Sequence, residues 1–209
     1  TKLADRARQT AFLVPGLEIV ITDDRGIQTD PETGDVLGTV SETMRFDGGI
    51  SEFAEYLATD EPVNDVMRLQ GEASFTETVP MLDENGGMTP TDVDRDLGVD
   101  IALRWGSGYD TTVRSFVNII ATPKGGTHLA GFEQSLLKVF RKQLEVSARK
   151  LKVGSDKVEK DDVLAGMTAV VTVRLAEPQF EGQTKEVLGT PAIRAIVSRV
   201  VEEQLTAFL

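Results

Sequence analysis

The sequence contains no cysteine and a single histidine, His128, among its 209 residues. The absence of cysteine excludes disulfide bonds and thiolate metal sites. Because there is only one histidine, neither a zinc site nor a Ser-His-Asp triad is expected. No run approaches the roughly 18 apolar residues of a membrane-spanning helix, and the first ten residues lack the apolar stretch of a signal peptide. The sequence therefore predicts a cytoplasmic protein whose chemistry uses carboxylates, lysines, hydroxyl groups or the backbone.

Basic residues are in the minority, because 22 lysines and arginines face 34 aspartates and glutamates, for a net charge of -12. Such a chain is repelled by nucleic acid at long range. One segment differs, since between residues 138 and 152 only Glu145 opposes a set of cations: Lys138, Arg141, Lys142, Arg149, Lys150 and Lys152. Four of these residues, Lys138, Arg141, Lys142 and Arg149, lie on one face of a predicted helix. This basic helix face is either simply solvated or a contact surface for a polyanion, which releases counterions when it binds.

Hydrophobic periodicity and turn residues predict an α+β fold. Helices are expected over residues 2–12, 50–57 and 127–151 and in a final segment with Thr190 as N-cap and Pro191 in its first turn. Strands are expected over residues 17–22, 36–46, 66–79, 99–105, 111–121 and 168–175.

The connections between these elements predict the topology. Residues 22–35 and 81–98 are polar and turn-rich, which favours a long hairpin loop or an insertion at the first position and a second polar connector at the other. The alternation in VDIALRW, the turn GSGYD and the return TTVRSFVNIIA predict a β-hairpin of residues 99–105 and 111–121. The order strand, long helix, strand from residue 111 to 175 predicts a crossover unit.

Two motifs have structural interpretations that compete with ligand binding. DVDRD places Asp92, Asp94 and Asp96 at alternating positions, but it lacks the glycine and glutamate of a calcium-binding loop, so a solvated acidic turn is expected. His128, in GGTHLAGF, begins a helix whose free N–H groups attract phosphate, yet a lone histidine there more often makes a structural hydrogen bond. No phosphate-binding loop of the Gly-x-x-x-x-Gly-Lys-Ser type occurs.

A lysine in an acidic surrounding marks the stretch FEGQTKEVLG, residues 180–189. An ordinary strand-to-helix turn with a solvent-exposed lysine explains it, and so does a phosphate site. In the second case Lys185 supplies a flexible point charge and Gln183 an amide donor.

Two stretches carry a resemblance to a known family. GGTHLAGF, residues 125–132, and EPQFEGQTKEVLG, residues 177–189, resemble the B subunit of bacterial type IIA topoisomerases, DNA gyrase and topoisomerase IV. The likeness extends over RARQTAFLVPGLEIVITDDR, FDGGISEFAEYL and ALRWGSGYDTTVRSFVNII, so residues 1–209 resemble the transducer domain that follows the ATPase domain. TPKGGTHLAGF and RLAEPQFEGQTKEVLGTP resemble actinobacterial sequences of the topoisomerase IV type more than typical gyrase.

The resemblance implies a mechanism. Lys185 is expected to contact the γ-phosphate of ATP and Gln183 to assist it, while the upstream ATPase domain holds ATP and Mg²⁺ and the fragment alone binds neither and is inactive. The implied partners are DNA, that ATPase domain, the A-type cleavage subunit and a second copy of the B subunit upon ATP binding. The basic helix face, with Lys138, Arg141, Lys142 and Arg149, is expected to face DNA.

The resemblance also implies the fold of ribosomal protein S5 domain 2, a mixed sheet with a left-handed βαβ crossover. General chirality opposes this, because about 98% of such crossovers are right-handed. A stand-alone S5-like module that binds RNA or protein is the alternative, and it would require neither Gln183 nor Lys185.

Overall fold

The computed structural model describes residues 1–82, 86–151 and 158–209, apart from the side chains of residues 26–28, 37 and 148–151. Two compact units divide the chain, Thr1–Tyr56 and Leu57–Leu209. No helix within the described ranges combines the length and the apolar character needed to cross a membrane.

The first unit consists of two helices and a two-stranded antiparallel sheet. Its elements are α1 (Lys2–Leu13), β1 (Ile19–Thr29), β2 (Val36–Met44) and α2 (Ile50–Leu57). Phe12 is buried between two aromatic rings, with centroid distances of 3.6 Å to Phe46 and 4.7 Å to Phe53. Stacked rings of this kind add to the burial energy and position α1 and α2 within the unit.

The predicted hairpin loop at residues 22–35 is shorter in the structure, because β1 continues to Thr29 and the turn to β2 takes only residues 30–35. The Asp30 carboxylate closes this turn by accepting hydrogen bonds from the backbone N–H groups of Glu32 (2.7 Å) and Thr33 (3.1 Å). Aspartate favours turns through such local bonds, so polar residues here mark the end of a hairpin.

The second unit is a mixed sheet with helices. Its elements are β3 (Met67–Leu82), β4 (Met88–Trp105), β5 (Thr112–Val117), β6 (Ile120–Ala121), α3 (Thr127–Leu151), α4 (Lys160–Leu164), β7 (Met167–Leu175) and α5 (Ala192–Phe208). In the described part the strand order is β3-β4-β7-β5-β6. β4 is antiparallel to β3 and β7, and β5 is parallel to β7, so the α+β class is confirmed.

The predicted connector at residues 81–98 and the acidic turn within it are wrong, since β4 already begins at Met88. Three hydroxyl groups of β3 donate hydrogen bonds of 2.6 to 2.9 Å to the three aspartates of DVDRD: Ser74 to Asp96, Thr76 to Asp94, and Thr78 to Asp92. Cross-strand pairs of this type stabilise a strand that its composition disfavours. Among the described residues no three carboxylates or histidines converge on a metal position.

The predicted hairpin of residues 99–105 and 111–121 is wrong as well, because β7 lies between β4 and β5. The chain passes over β7 in a connector fixed by Asp60, whose carboxylate accepts from the Gly108 N–H (2.8 Å), and by Gly106, which donates to the Gly166 carbonyl (2.9 Å). Strands two positions apart are separated by roughly 10 Å, a distance that this connector spans.

Helices α3 and α5 pack against the sheet and complete the core of this unit. Phe132 and Leu136 of α3 and Ile193 and Val197 of α5 are fully buried. The sequence predicts that the apolar stripe of α5 consists of Ile193, Ile196, Val197, Val200 and Phe208, which is wrong at its end, because Phe208 is 54% exposed. The side chains of Val201 and Leu205 are buried in its place, as the helical period requires.

Candidate functional site

The segment between β7 and α5 forms a small hairpin-shaped loop. Phe180 pairs with Leu188 across its base, the Glu181 N–H donates to the Val187 carbonyl (2.9 Å), and the Gly189 N–H donates to the Gln179 carbonyl (2.8 Å). We call residues 181–187 the lysine loop. Its backbone is thus closed at the base while its tip, with Gln183 and Lys185, is exposed.

The base of the lysine loop is bonded to the start of α3. The Leu188 N–H donates to the Gly125 carbonyl (3.3 Å), and the Thr127 N–H donates to the Leu188 carbonyl (2.9 Å). A Cβ atom on Gly126 would lie 2.4 Å from the Leu188 nitrogen. The backbone φ of Gly126, +137°, also favours glycine at this position. The two glycines of the GGTH motif therefore allow the loop and the helix start to approach within bonding distance.

Lys185 has a left-handed backbone, with φ of +55°, although it carries a side chain. This conformation costs about 1 kcal/mol relative to an ordinary one, and its single local bond, from the Lys185 N–H to the Gly182 carbonyl, is long at 3.4 Å. Within the described part of the chain, the side chains of Lys185 and Gln183 have no hydrogen bond or ion pair. An exposed cation at a strained backbone position and an exposed amide two residues before it are thus available to a ligand.

An ion pair flanks the tip of the lysine loop. The Lys124 Nζ lies 2.7 Å from a carboxylate oxygen of Glu186, and the Thr184 hydroxyl donates to the same carboxylate at 3.1 Å. The Lys124 ammonium, and secondly the Thr184 hydroxyl, lower the pKa of the Glu186 carboxyl. Sequence reasoning missed Lys124 and Glu186, because only opposite charges in two glycine-flanked segments, TPKGG and QTKEVLG, indicate them.

His128 lies in the first turn of α3 and is fully buried. Its Nε2 is 3.2 Å from the Thr122 hydroxyl, which in turn lies 2.8 Å from the hydroxyl of Ser115. Burial lowers the pKa of His128 to about 4, so the imidazole is neutral at pH 7. A buried neutral ring does not bind a phosphate at the surface, and the structural interpretation of His128 holds.

Thr190 does not cap α5 as predicted. Its hydroxyl is buried without a hydrogen-bond partner in the described residues, and the position before the helix is taken by Pro191, which has helical backbone angles. The segment bearing Thr190 follows directly on the bonded residues Leu188 and Gly189, so the backbone of the lysine loop leads into the helix without a polar cap.

The basic helix face is only partly free of internal contacts. Lys138 pairs with Glu202 of α5 at 2.7 Å, and the Arg141 Nε donates to the Val158 carbonyl at 2.8 Å. Lys142 is exposed and has no ion pair in the described part of the chain, while the side chain of Arg149 lies outside the described residues. Lys142 therefore keeps the most accessible charge of the three.

Comparison with known proteins agrees with this architecture. The family model described as DNA gyrase B matches residues 49–209. The B subunit of DNA gyrase from Streptomyces coelicolor is 34% identical over 213 residues, covering 99% of this chain and 29% of the relative, and that from Treponema denticola is 36% identical over 211 residues, covering 99% and 28%. The chain thus spans less than a third of the length of these relatives.

Solved structures show the same fold. The 43K ATPase domain of Thermus thermophilus gyrase B, in complex with an aminocoumarin, has a TM-score of 0.64 and 27% identity, covering 100% of this chain and 47% of that one. The topoisomerase IV ATP-binding domain of Francisella tularensis has a TM-score of 0.62 and 22% identity, with 100% and 47% covered, a likeness of fold alone. Assignment to topoisomerase IV or to gyrase stays a prediction. With the model match over three quarters of its residues and relatives above 30% identity, the chain belongs to the DNA gyrase B family.

Proposed function

We propose that residues 1–209 are the transducer segment of the B subunit of an ATP-dependent type II topoisomerase, in which the lysine loop senses the γ-phosphate of ATP. The observation that carries this proposal is the state of Lys185: an exposed amine without an internal partner among the described residues, in a left-handed turn bonded at its base to α3. A strained, unpaired cation at a loop tip is explained by a ligand that arrives from outside the chain.

The chemistry of the tip fits a terminal phosphate. A lysine ammonium donates up to three hydrogen bonds to phosphate oxygens, and the Gln183 amide can donate a further one. A charge-assisted contact of this kind is worth about 1.5 to 3 kcal/mol, which biases a two-state arrangement roughly 10- to 150-fold. Because hydrolysis removes the γ-phosphate, it removes this bias also.

The start of α3 is the element that a displacement of the lysine loop reaches first. Two backbone hydrogen bonds link Leu188 to Gly125 and Thr127, and α3 then extends 25 residues along the sheet. A change at Lys185 is therefore transmitted through main-chain bonds into a rigid helix. ATP and Mg²⁺ belong, in this proposal, to the preceding ATPase domain, and this segment supplies the contact with the terminal phosphate alone.

The partners follow from the same assignment. DNA faces Lys138, Arg141, Lys142 and Arg149, and the protein works in the cytoplasm with an A-type cleavage subunit and a second copy of the B subunit. The crossover from β5 through α3 to β7, two adjacent parallel strands, is proposed to have the left-handed sense of ribosomal protein S5 domain 2.

The test is the substitution Lys185→Ala in the full-length protein. ATP turnover is expected to be lost while the affinity for ADP, which has no γ-phosphate, stays unchanged. Lys2→Ala, at an exposed lysine of α1, is the matched control and should turn over ATP normally. Near-normal turnover of Lys185→Ala would overturn the proposed function.

A further inference from the structure

The tip of the lysine loop is fixed by one carboxylate. The side chain of Glu186 accepts a hydrogen bond from Thr184, which precedes Lys185, and pairs with Lys124 in the segment before α3. The Glu186 carboxylate thus links Thr184, on the other side of Lys185, to Lys124. The backbone adds the 3.4 Å contact between the Lys185 N–H and the Gly182 carbonyl, which is at the weak end of the hydrogen-bond range.

Lys124 has a second effect, on the charge around Lys185. Glu186 follows Lys185 directly in the chain, so its carboxylate is the anion of the adjacent residue. In the structure the Glu186 carboxylate is paired instead with the Lys124 Nζ, 2.7 Å away, and Lys185 has no ion pair within the described residues. Lys124 therefore leaves the amine of Lys185 free for a ligand.

We propose that Lys124 and Glu186 are a positioning pair for Lys185: the carboxylate fixes the left-handed turn, and Lys124 keeps that carboxylate away from the neighbouring amine. The inference rests on the proposed function of Lys185. The pair contacts the chain on either side of Lys185, and in this proposal both residues act through Lys185 alone.

The exposure of the pair sets the size of the effect. The Lys124 side chain is 68% exposed and that of Glu186 32%, and pairs of this kind are weakened by solvent and salt. Their loss does not unfold a domain, but it changes the population of the binding-competent loop roughly two- to five-fold. A modest and salt-sensitive loss of affinity for the triphosphate is therefore the signature of the pair.

The experiment measures the affinity of the full-length protein for a non-hydrolysable ATP analogue and for ADP. Lys124→Met and Glu186→Gln are each expected to weaken analogue binding roughly two- to five-fold at low salt, to leave ADP binding unchanged, and to lose this effect at high salt. The double variant should be no weaker than either single one, because the two residues act as one unit. Lys124→Arg, which keeps the charge, should bind the analogue normally.

Glu202→Gln provides the matched control. Glu202 pairs with Lys138 at the same 2.7 Å and with similar exposure, 33% and 64%, but it joins α5 to α3 away from the lysine loop. Its substitution should leave analogue affinity unchanged. A general effect of lost surface charge would instead weaken binding in this variant as well, and would contradict the positioning role.

A background of Lys185→Ala separates the two proposals. If Glu186→Gln acts through Lys185, it has no further effect once that amine is removed, whereas an equal loss in this background would overturn the inference. If Lys185→Ala lowers the preference for the analogue while Lys124→Met and Glu186→Gln do not, only the positioning pair fails. If Lys185→Ala itself leaves that preference unchanged, the proposed function fails.

Discussion

Replacing His128 by a residue that does not titrate should remove a defined part of the pH dependence of the unfolding free energy. His128 is the chain's one histidine, and burial lowers its pKa from the usual 6.5 to about 4. Because the folded state binds this proton less readily than the unfolded state, stability falls as the pH falls below 6.5. The stabilisation is complete above that pH and is lost progressively down to about pH 4.

The magnitude follows from the two pKa values. Between pH 7.5 and pH 5.5 the unfolded imidazole becomes protonated while the folded one stays neutral, which costs about 1.3 kcal/mol of unfolding free energy. His128→Gln keeps a polar partner for Thr122 but has no proton to gain. Its stability is expected to be lower at every pH and to change by about 1.3 kcal/mol less over this interval.

The assay is urea unfolding followed by the fluorescence of Trp105, the chain's single tryptophan. Its ring lies 5.4 Å from that of Phe140, and its Nε1 donates to the Val163 carbonyl at 2.8 Å, so the signal reports on the unit that contains His128. Equal pH dependence of the native chain and of His128→Gln would refute the reasoning, since the folded pKa would then lie near 6.5.

Two further predictions concern the lysine loop and the basic helix face. Gly126→Ala places a Cβ 2.4 Å from the Leu188 nitrogen and should lower the unfolding free energy by about 2 kcal/mol or more. The control Gly182→Ala, at a φ of +86° and with no atom within 4 Å of the added Cβ, should lower it by only about 1 kcal/mol. Equal urea midpoints of the two variants would contradict this prediction. Reversing the charges of Arg141 and Lys142 in the full-length protein should weaken the stimulation of ATP turnover by DNA. Unchanged stimulation would leave that face as a solvated one.

Local patterns were sufficient to predict α1, α2, α3 and α5 and most strands. The four-residue spacing of Phe132 and Leu136 predicts the buried face of α3, and the alternation in VDIALRW predicts the buried half of β4. These patterns involve residues near one another in the chain, and each element buries the face on which its apolar residues recur.

Long-range pairing could not be predicted in the same way. The insertion of β7 between β4 and β5 depends on contacts such as that of Asp60 with Gly108, residues 48 positions apart. The strand character of DVDRD depends on hydroxyl partners in β3 that no local pattern specifies. Sequence reasoning likewise selected Lys185 and Gln183 but not the ion pair of Lys124 with Glu186, because that pair joins segments about sixty residues apart.

The most direct test of phosphate sensing by the lysine loop is a structure of the full-length protein with a non-hydrolysable ATP analogue. The Nζ of Lys185 is expected to lie within hydrogen-bond distance, roughly 2.7 to 3.2 Å, of a γ-phosphate oxygen. A lysine loop whose amine points into solvent while the nucleotide is bound would contradict that role.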